Sequence, residues 1–196
     1  VSKINDSLYE SDSHDWQTPP EFIKKVLNLL QIKKFDIDIC CSNNFIPAYK
    51  YCMKSGTYLY TNLLEHENSV KFGYKKINDL DGLNLPLEGN VWMNPPYGNL
   101  LKKFIKRAYE QTRNNDCGVA SILPVRTETS YYHRYVLEAE FIVFLEGKME
   151  FWRDGKPGGG KSPSPLMFVY WGTDARYLFK RWNSLSQEER MKGKLV

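Results

Sequence analysis

No apolar run in this 196-residue chain approaches the roughly 18 residues that a membrane-spanning helix requires. Its opening residues are polar and acidic, so the sequence predicts neither a secretory signal peptide nor a membrane partner. Cysteine is sparse: Cys40, Cys41, Cys52 and Cys117 are too few for a disulfide scaffold, which fits a reduced, cytoplasmic compartment. Adjacent Cys40 and Cys41 lack the spacing of zinc ligands, and no metal is expected. The dinucleotide fingerprint G-x-G-x-x-G is missing, which counts against a nucleotide-dependent oxidoreductase. Internal repeats and low-complexity tracts are missing too.

What is present suits one folded domain over residues 1–196, with a possible small insertion around 53–78. Apolar residues make up 42% and aromatics 14%, enough for a substantial core. Net charge is +4, and residues 176–196 hold six Lys/Arg against two Asp/Glu, so this basic C-terminal tail carries the whole excess. A second basic cluster is Lys102, Lys103, Lys106 and Arg107. Either group reads as a solvated helix face or as a contact for a polyanion.

Strand and helix signals alternate along the sequence. In "TPPEFIKKVLNLLQ", Thr18 and Glu21 are spaced as a capping box, with Pro19 at the first helical position. Phe22, Val26, Leu29 and Leu30 share one face of that helix. "FDIDIC", "TYLYT", "NVWMN", "GVASILPV", "EFIVFLEG" and "PLMFVYW" read as strands. "NLLKKFIKRAYEQ", capped by Asn99, "SYYHRYVL" and "DARYLFKRW" read as helices. Residues 62–80 and the segment "GKPGGGKSPSP" read as loops. The alternation predicts an α/β fold, a mostly parallel sheet with helices on both faces. Such sheets bind ligands beyond the carboxyl ends of their strands. Two strand ends carry polar groups there: Asp38, followed by Cys40, Cys41 and Ser42, and Asn94 in "VWMNPPY".

The second of these has a chemical logic. Pro95 and Pro96 lack backbone N–H groups, so this turn offers only carbonyls. A residue before proline is held extended, which presents Asn94 at the sheet edge. The amide oxygen of Asn94 and a neighbouring backbone carbonyl make a two-acceptor site suited to an NH2 group. Tyr97 adds a flat face suited to the ring that carries such an amine.

"NPPY" after an apolar strand resembles the catalytic motif of amino-group methyltransferases that use S-adenosylmethionine. "DWQTPPEF", "DICCSNN", "NPPYGN", "LPVRTETSYYH", and "GKMEF" with "GGGKSPSPLMFVYW" together resemble the phage-type DNA N6-adenine methyltransferases (Dam-like), in order from about residue 15 to 171. The resemblance implies a class I methyltransferase (Rossmann-like) fold, mostly parallel with an antiparallel last strand. It implies transfer of a methyl group from S-adenosylmethionine to adenine N6 in DNA. Asn94, Pro95, Pro96 and Tyr97 match the catalytic motif. Asp38 matches the acid near the methionine part of the cofactor, with Cys40 beside it. Trp16, Thr18 and Pro19 match the segment that closes over the cofactor. The sequence departs from the class pattern in "DICCSNN", which has no glycine. Asp79 and Asp81 are the candidates for the acid that holds the cofactor ribose, with Glu65 in reserve.

Direct transfer needs no covalent intermediate. That agrees with the missing Pro-Cys dipeptide, the mark of cytosine C5 chemistry. The base would be flipped out of its duplex to reach Asn94, and no obligate protein partner is evident. Arg126 and Tyr131 in "PVRTETSYYHRY", and Arg153 to Lys161 with its three basic residues and four glycines, are candidate DNA contacts. His133 reads as structural. Three readings stay open beside this one: the same chemistry on RNA or on a protein glutamine, a non-catalytic cofactor- or DNA-binding module, and, last, the oxidoreductase.

Overall fold

A computed structural model describes residues 16–41, 47–53, 56–63, 71–78, 81–153, 155–172 and 175–196. Helix α1 (Pro20–Leu30) begins with proline at its first position, where a missing N–H leaves no bond unmade. Pro19 is its cap, and the Pro19 carbonyl accepts from the amides of Phe22 and Ile23. The expected capping box is therefore not formed. Two successive prolines move the helix start past Thr18, and Glu21 pairs with Lys24 at 3.0 Å on the surface. Ile23, Val26, Leu29 and Leu30 form the buried stripe, with Phe22 at its margin.

The strands are β1 (Phe35–Asp38), β2 (Ala48–Met53), β3 (Gly56–Leu63), β4 (Lys71–Asn78), β5 (Gly89–Met93), β6 (Cys117–Pro124) and β7 (Phe141–Leu145). They continue with β8 (Glu150–Arg153), β9 (Lys156–Lys161), β10 (Leu166–Trp171) and β11 (Gly193–Leu195). Helices α2 (Leu101–Asn114) and α3 (Ala175–Ser184) and a π-helical turn (Tyr132–Val136) complete the described elements. Leu100, not Asn99, is the cap of α2.

Nine strands form one sheet in the order β11-β7-β10-β6-β5-β1-β2-β3-β4, and β8 and β9 form a separate hairpin. The sheet is mixed rather than mostly parallel. Only β2·β1, β1·β5 and β5·β6 pair in parallel. The β2–β3–β4 meander, the β6·β10·β7 set and β11 are antiparallel. Short connections between β2, β3 and β4 leave no room for the crossover that parallel neighbours need. The expected loop over 62–80 is thus partly strand: β4 pairs only with β3, and such an edge strand carries little apolar signal. The glycine-rich segment is strand as well. A Cβ on Gly159 would lie 2.7 Å from the Phe151 carbonyl, so the tight approach of β8 and β9 requires glycine there.

Period-two alternation divides the apolar residues between two cores. Trp92, Ile122 and Phe168 face α1 and α3; Val91, Met93, Val119 and Val169 face α2. The helices therefore cover both faces of the sheet. The C-terminal segment is built into the first of these cores rather than left as a basic tail. Trp182, Leu185 and Met191 are buried in it, Arg181 donates to Asn28, and Lys25 donates to the Arg190 carbonyl. Among the described residues no helix is long and apolar enough to cross a membrane.

Candidate active site

Strand order reverses between β1 and β5: the backbone proceeds to β2 on one side and to β6 on the other. Crevices open at such a switch point, beyond the carboxyl ends of the strands. Asp38 ends β1 and stands in register with Trp92 on β5. Asn94 follows β5 directly, about 8 Å further across and along the sheet by strand geometry. Both polar strand ends singled out in the sequence thus lie at this switch point, where such crevices form.

Asp38 is buried, and its Oδ1 accepts one bond, 3.2 Å from the Cys40 amide. Burial pushes its carboxyl up to about 7, against the lowering pull of that amide. Cys40 is half-buried. Asp81 opens the turn leading to β5, with Oδ1 accepting from the Leu83 amide at 2.9 Å and Asn84 Nδ2 at 2.7 Å. Gly82 presses that turn against the end of β1: a Cβ there would fall 1.9 Å from the Ile39 carbonyl. Asp81 is therefore a neighbour of Asp38. Asp79 and Glu65 lie outside the described residues.

On the other flank, Asn94 Nδ2 donates to the Trp16 carbonyl at 3.2 Å. A carbonyl can only accept, so this contact fixes which end of the amide is which and turns Oδ1 the other way. Beneath it, the buried Ser121 hydroxyl donates to the Met93 carbonyl at 2.8 Å and holds the last residue of β5. Pro95 is buried and Pro96 half-buried. Tyr97 packs where the two cores meet. Its hydroxyl is buried without a partner among the described residues, and burial raises its pKa.

The segment before α1 lies over this motif. The Trp16 ring stacks on Phe151 at 5.2 Å and meets Tyr97 edge-on at 6.4 Å. Gln17 pairs with Trp152 through two backbone bonds of 2.9 Å, and its Oε1 accepts from the Gly155 amide. Thr18 is buried, and like Gln17 Nε2 its hydroxyl has no partner among the described residues. Pro19 begins the helix beyond.

The remaining expected residues divide. Arg153 and Lys161 are exposed on the β8–β9 hairpin, which Gln17 ties to the motif. Arg126 lies just past β6, where its carbonyl accepts from the Thr129 hydroxyl at 2.7 Å. Tyr131 is packed into the α2-side core with 9% of its surface exposed, which leaves its ring little to offer a ligand. His133 is exposed, edge-on to Tyr132. Sequence reading missed Gln17, Ser121, Gly82 and Phe151. Gln17 sits between residues that were singled out, but nothing local signals a bond made to residue 155.

S-adenosylmethionine is the group to test against this crevice. A buried carboxyl with one hydrogen bond fits an ammonium. The Thr18 hydroxyl, without a partner among the described residues, and the Trp16 indole near it fit a polar, partly aromatic molecule. Fold and strand ends together define an α/β protein with polar groups at a topological switch point. The family model of DNA N-6-adenine-methyltransferases (Dam) matches residues 6–176, and the chain belongs to that family. It is a DNA N6-adenine methyltransferase that uses S-adenosylmethionine. Neither a curated protein nor a solved structure matches the sequence significantly.

Proposed function

We propose that methyl transfer takes place in the crevice between Asp38 and Asn94. The observation that carries this reading is the Asn94 amide, fixed by the Trp16 carbonyl with Oδ1 left as acceptor. The order β7-β10-β6-β5-β1-β2, with β10 reversed between its neighbours, supports a class I methyltransferase fold extended by β3, β4 and β11.

When bound, S-adenosylmethionine supplies an electrophilic methyl on its sulfonium. Asp38 ionises to hold the ammonium of its methionine part. The Thr18 hydroxyl would hydrogen-bond it beside Trp16 and Pro19, and Asp81 or Asp79 would take the ribose hydroxyls. The adenine leaves its duplex and stacks on Tyr97. Its N6 amine donates to Asn94 Oδ1 and to the Pro95 carbonyl. Two acceptors on one amine favour a pyramidal nitrogen with its lone pair turned outward. They also stabilise positive charge growing there, worth roughly a few kcal/mol. Alignment of that lone pair with the methyl supplies much of the remaining acceleration. Arg126 and the hairpin cations Arg153 and Lys161 take DNA phosphates. The likeness to phage-type enzymes supports a bacteriophage or prophage source and an intracellular place of action.

Labelled methyl groups offered with DNA, followed by digestion to nucleosides, test the reading. Label is expected in N6-methyladenine and is expected to vanish in Asn94→Ala while cofactor binding persists. Transfer by Asn94→Ala at the wild-type rate would remove Asn94 from the chemistry.

A further inference from the structure

One peptide group stands between the hairpin and the reacting amide. The Trp16–Gln17 peptide donates its N–H to the Trp152 carbonyl on β8 at 2.9 Å. The carbonyl of the same peptide accepts from Asn94 Nδ2 at 3.2 Å. A peptide unit is planar and stiff, so its two ends cannot turn independently. Displacement of β8 that carries Gln17 with it tilts the carbonyl that orients Asn94.

The rest of the connection is made by side chains. Gln17, 6% exposed, reaches past the backbone pairing to bind the Gly155 amide in the turn of the hairpin at 2.9 Å. The hairpin is thereby held to residue 17 at two places, on β8 and at its tip. Trp16 stacks on Phe151, which is fully buried, so the indole moves with the hairpin as well. On its other side the segment is anchored, because the Pro19 carbonyl caps α1. Polarisation runs in the same direction as geometry. An amide whose N–H is engaged has a stronger carbonyl acceptor, and an amide whose NH2 is engaged has a more basic oxygen. The relay from the Trp152 carbonyl through the Trp16–Gln17 peptide to the Asn94 amide ends at Oδ1, the atom offered to the target amine.

We propose that Gln17 is a positioning residue that couples the β8–β9 hairpin to Asn94, holding the Trp16 carbonyl where it orients the reacting amide. This rests on the reading of Asn94 as the acceptor. Arg153 and Lys156 flank the turn of the same hairpin.

The test compares Gln17→Ala and Gln17→Glu in two backgrounds, by single-turnover transfer to DNA with cofactor affinity measured in parallel. In the wild-type background Gln17→Ala is expected to lower the transfer rate about tenfold, with cofactor affinity changed by less than about twofold. Gln17→Glu keeps an acceptor for the Gly155 amide and should recover most of the rate. In Asn94→Asp the side group has no N–H to give the Trp16 carbonyl, so the relay is already broken. There Gln17→Ala should cost less than about twofold more. Equal losses in both backgrounds, or a Gln17→Glu rate as low as Gln17→Ala, would overturn the coupling. Wild-type transfer by Asn94→Ala, by contrast, would overturn the acceptor reading itself.

Discussion

Asn94 and Trp16, 78 positions apart, meet through a single hydrogen bond in which the Asn94 amide Nδ2 donates to the Trp16 backbone carbonyl. That bond leaves one oxygen of the motif directed at the crevice, and the first prediction follows from it. Asn94→Ala should cut methyl transfer by about two orders of magnitude or more, the scale of losing about 3 kcal/mol of transition-state stabilisation. Cofactor affinity by calorimetry should hold, since the amide serves the base.

Asp38 predicts a pH dependence with a definite sign. Its carboxyl is raised from 3.8 to about 7 by burial. Below the lower value it is protonated in both the folded and the unfolded state and costs nothing. As pH rises toward 7 the unfolded state ionises first, and the ligand-free protein loses up to roughly 4 kcal/mol of stability. Melting temperature should therefore fall between about pH 4 and about pH 7, and the fall should shrink in Asp38→Asn. Cofactor affinity should move oppositely, rising through pH 7 as the carboxylate forms, and become flat and weaker in Asp38→Asn.

Tyr97 should separate ring from hydroxyl. Its hydroxyl is buried without a partner among the described residues, so Tyr97→Phe removes an unmet polar group and should leave stability equal or slightly higher. Tyr97→Ala removes the proposed stacking face, worth about 1–3 kcal/mol per base, and should slow transfer more than it weakens cofactor binding. Loss of cofactor affinity in a folded Tyr97→Ala would assign that ring to the cofactor instead.

The C-terminal cations should divide into two groups. Arg181 donates to Asn28 on α1, and Arg181→Ala should lower the unfolding free energy by about 1.5–3 kcal/mol, the value of a charged hydrogen bond. Exposed Lys180, Lys192 and Lys194 hold no such post. Neutralising those three should reduce the salt dependence of DNA binding and leave the methylated sequence unchanged. A changed sequence would mean that this segment reads bases.

Much of this was legible because the signal was local. Asp38 and Asn94 betrayed themselves as polar residues ending apolar strands, and apolar or period-two runs marked β1, β5, β6, β7 and β10. The failures had physical causes. Thr18 and Glu21 have cap spacing, but two prolines displaced the helix start, and Thr18 was buried with its hydroxyl unused. Three glycines suggested a loop, yet they lie in β9: Gly158 and Gly160 take positive φ, and at Gly159 β8 runs too close for a Cβ. Basic residues after 175 suggested a solvated helix face or a polyanion contact, while Trp182 and Met191 place one side of that segment in the core. Gln17 and Ser121 were invisible because their roles lie in bonds to residues far along the sequence.

The Ser121 hydroxyl that holds the Met93 carbonyl has a consequence for amide exchange. Ser121 and Met93 sit side by side in the middle of the sheet, fully buried, on β6 and β5. Opening there requires the central strands to part, so the Trp92 and Met93 amides should be among the last to take up deuterium. Pro95 and Pro96 have no amide to exchange, and protection should next be measurable at the exposed turn Gly98–Leu100. Asn94, the proposed acceptor, therefore rides on the end of this slowly exchanging pair of strands, at its border with an exposed turn.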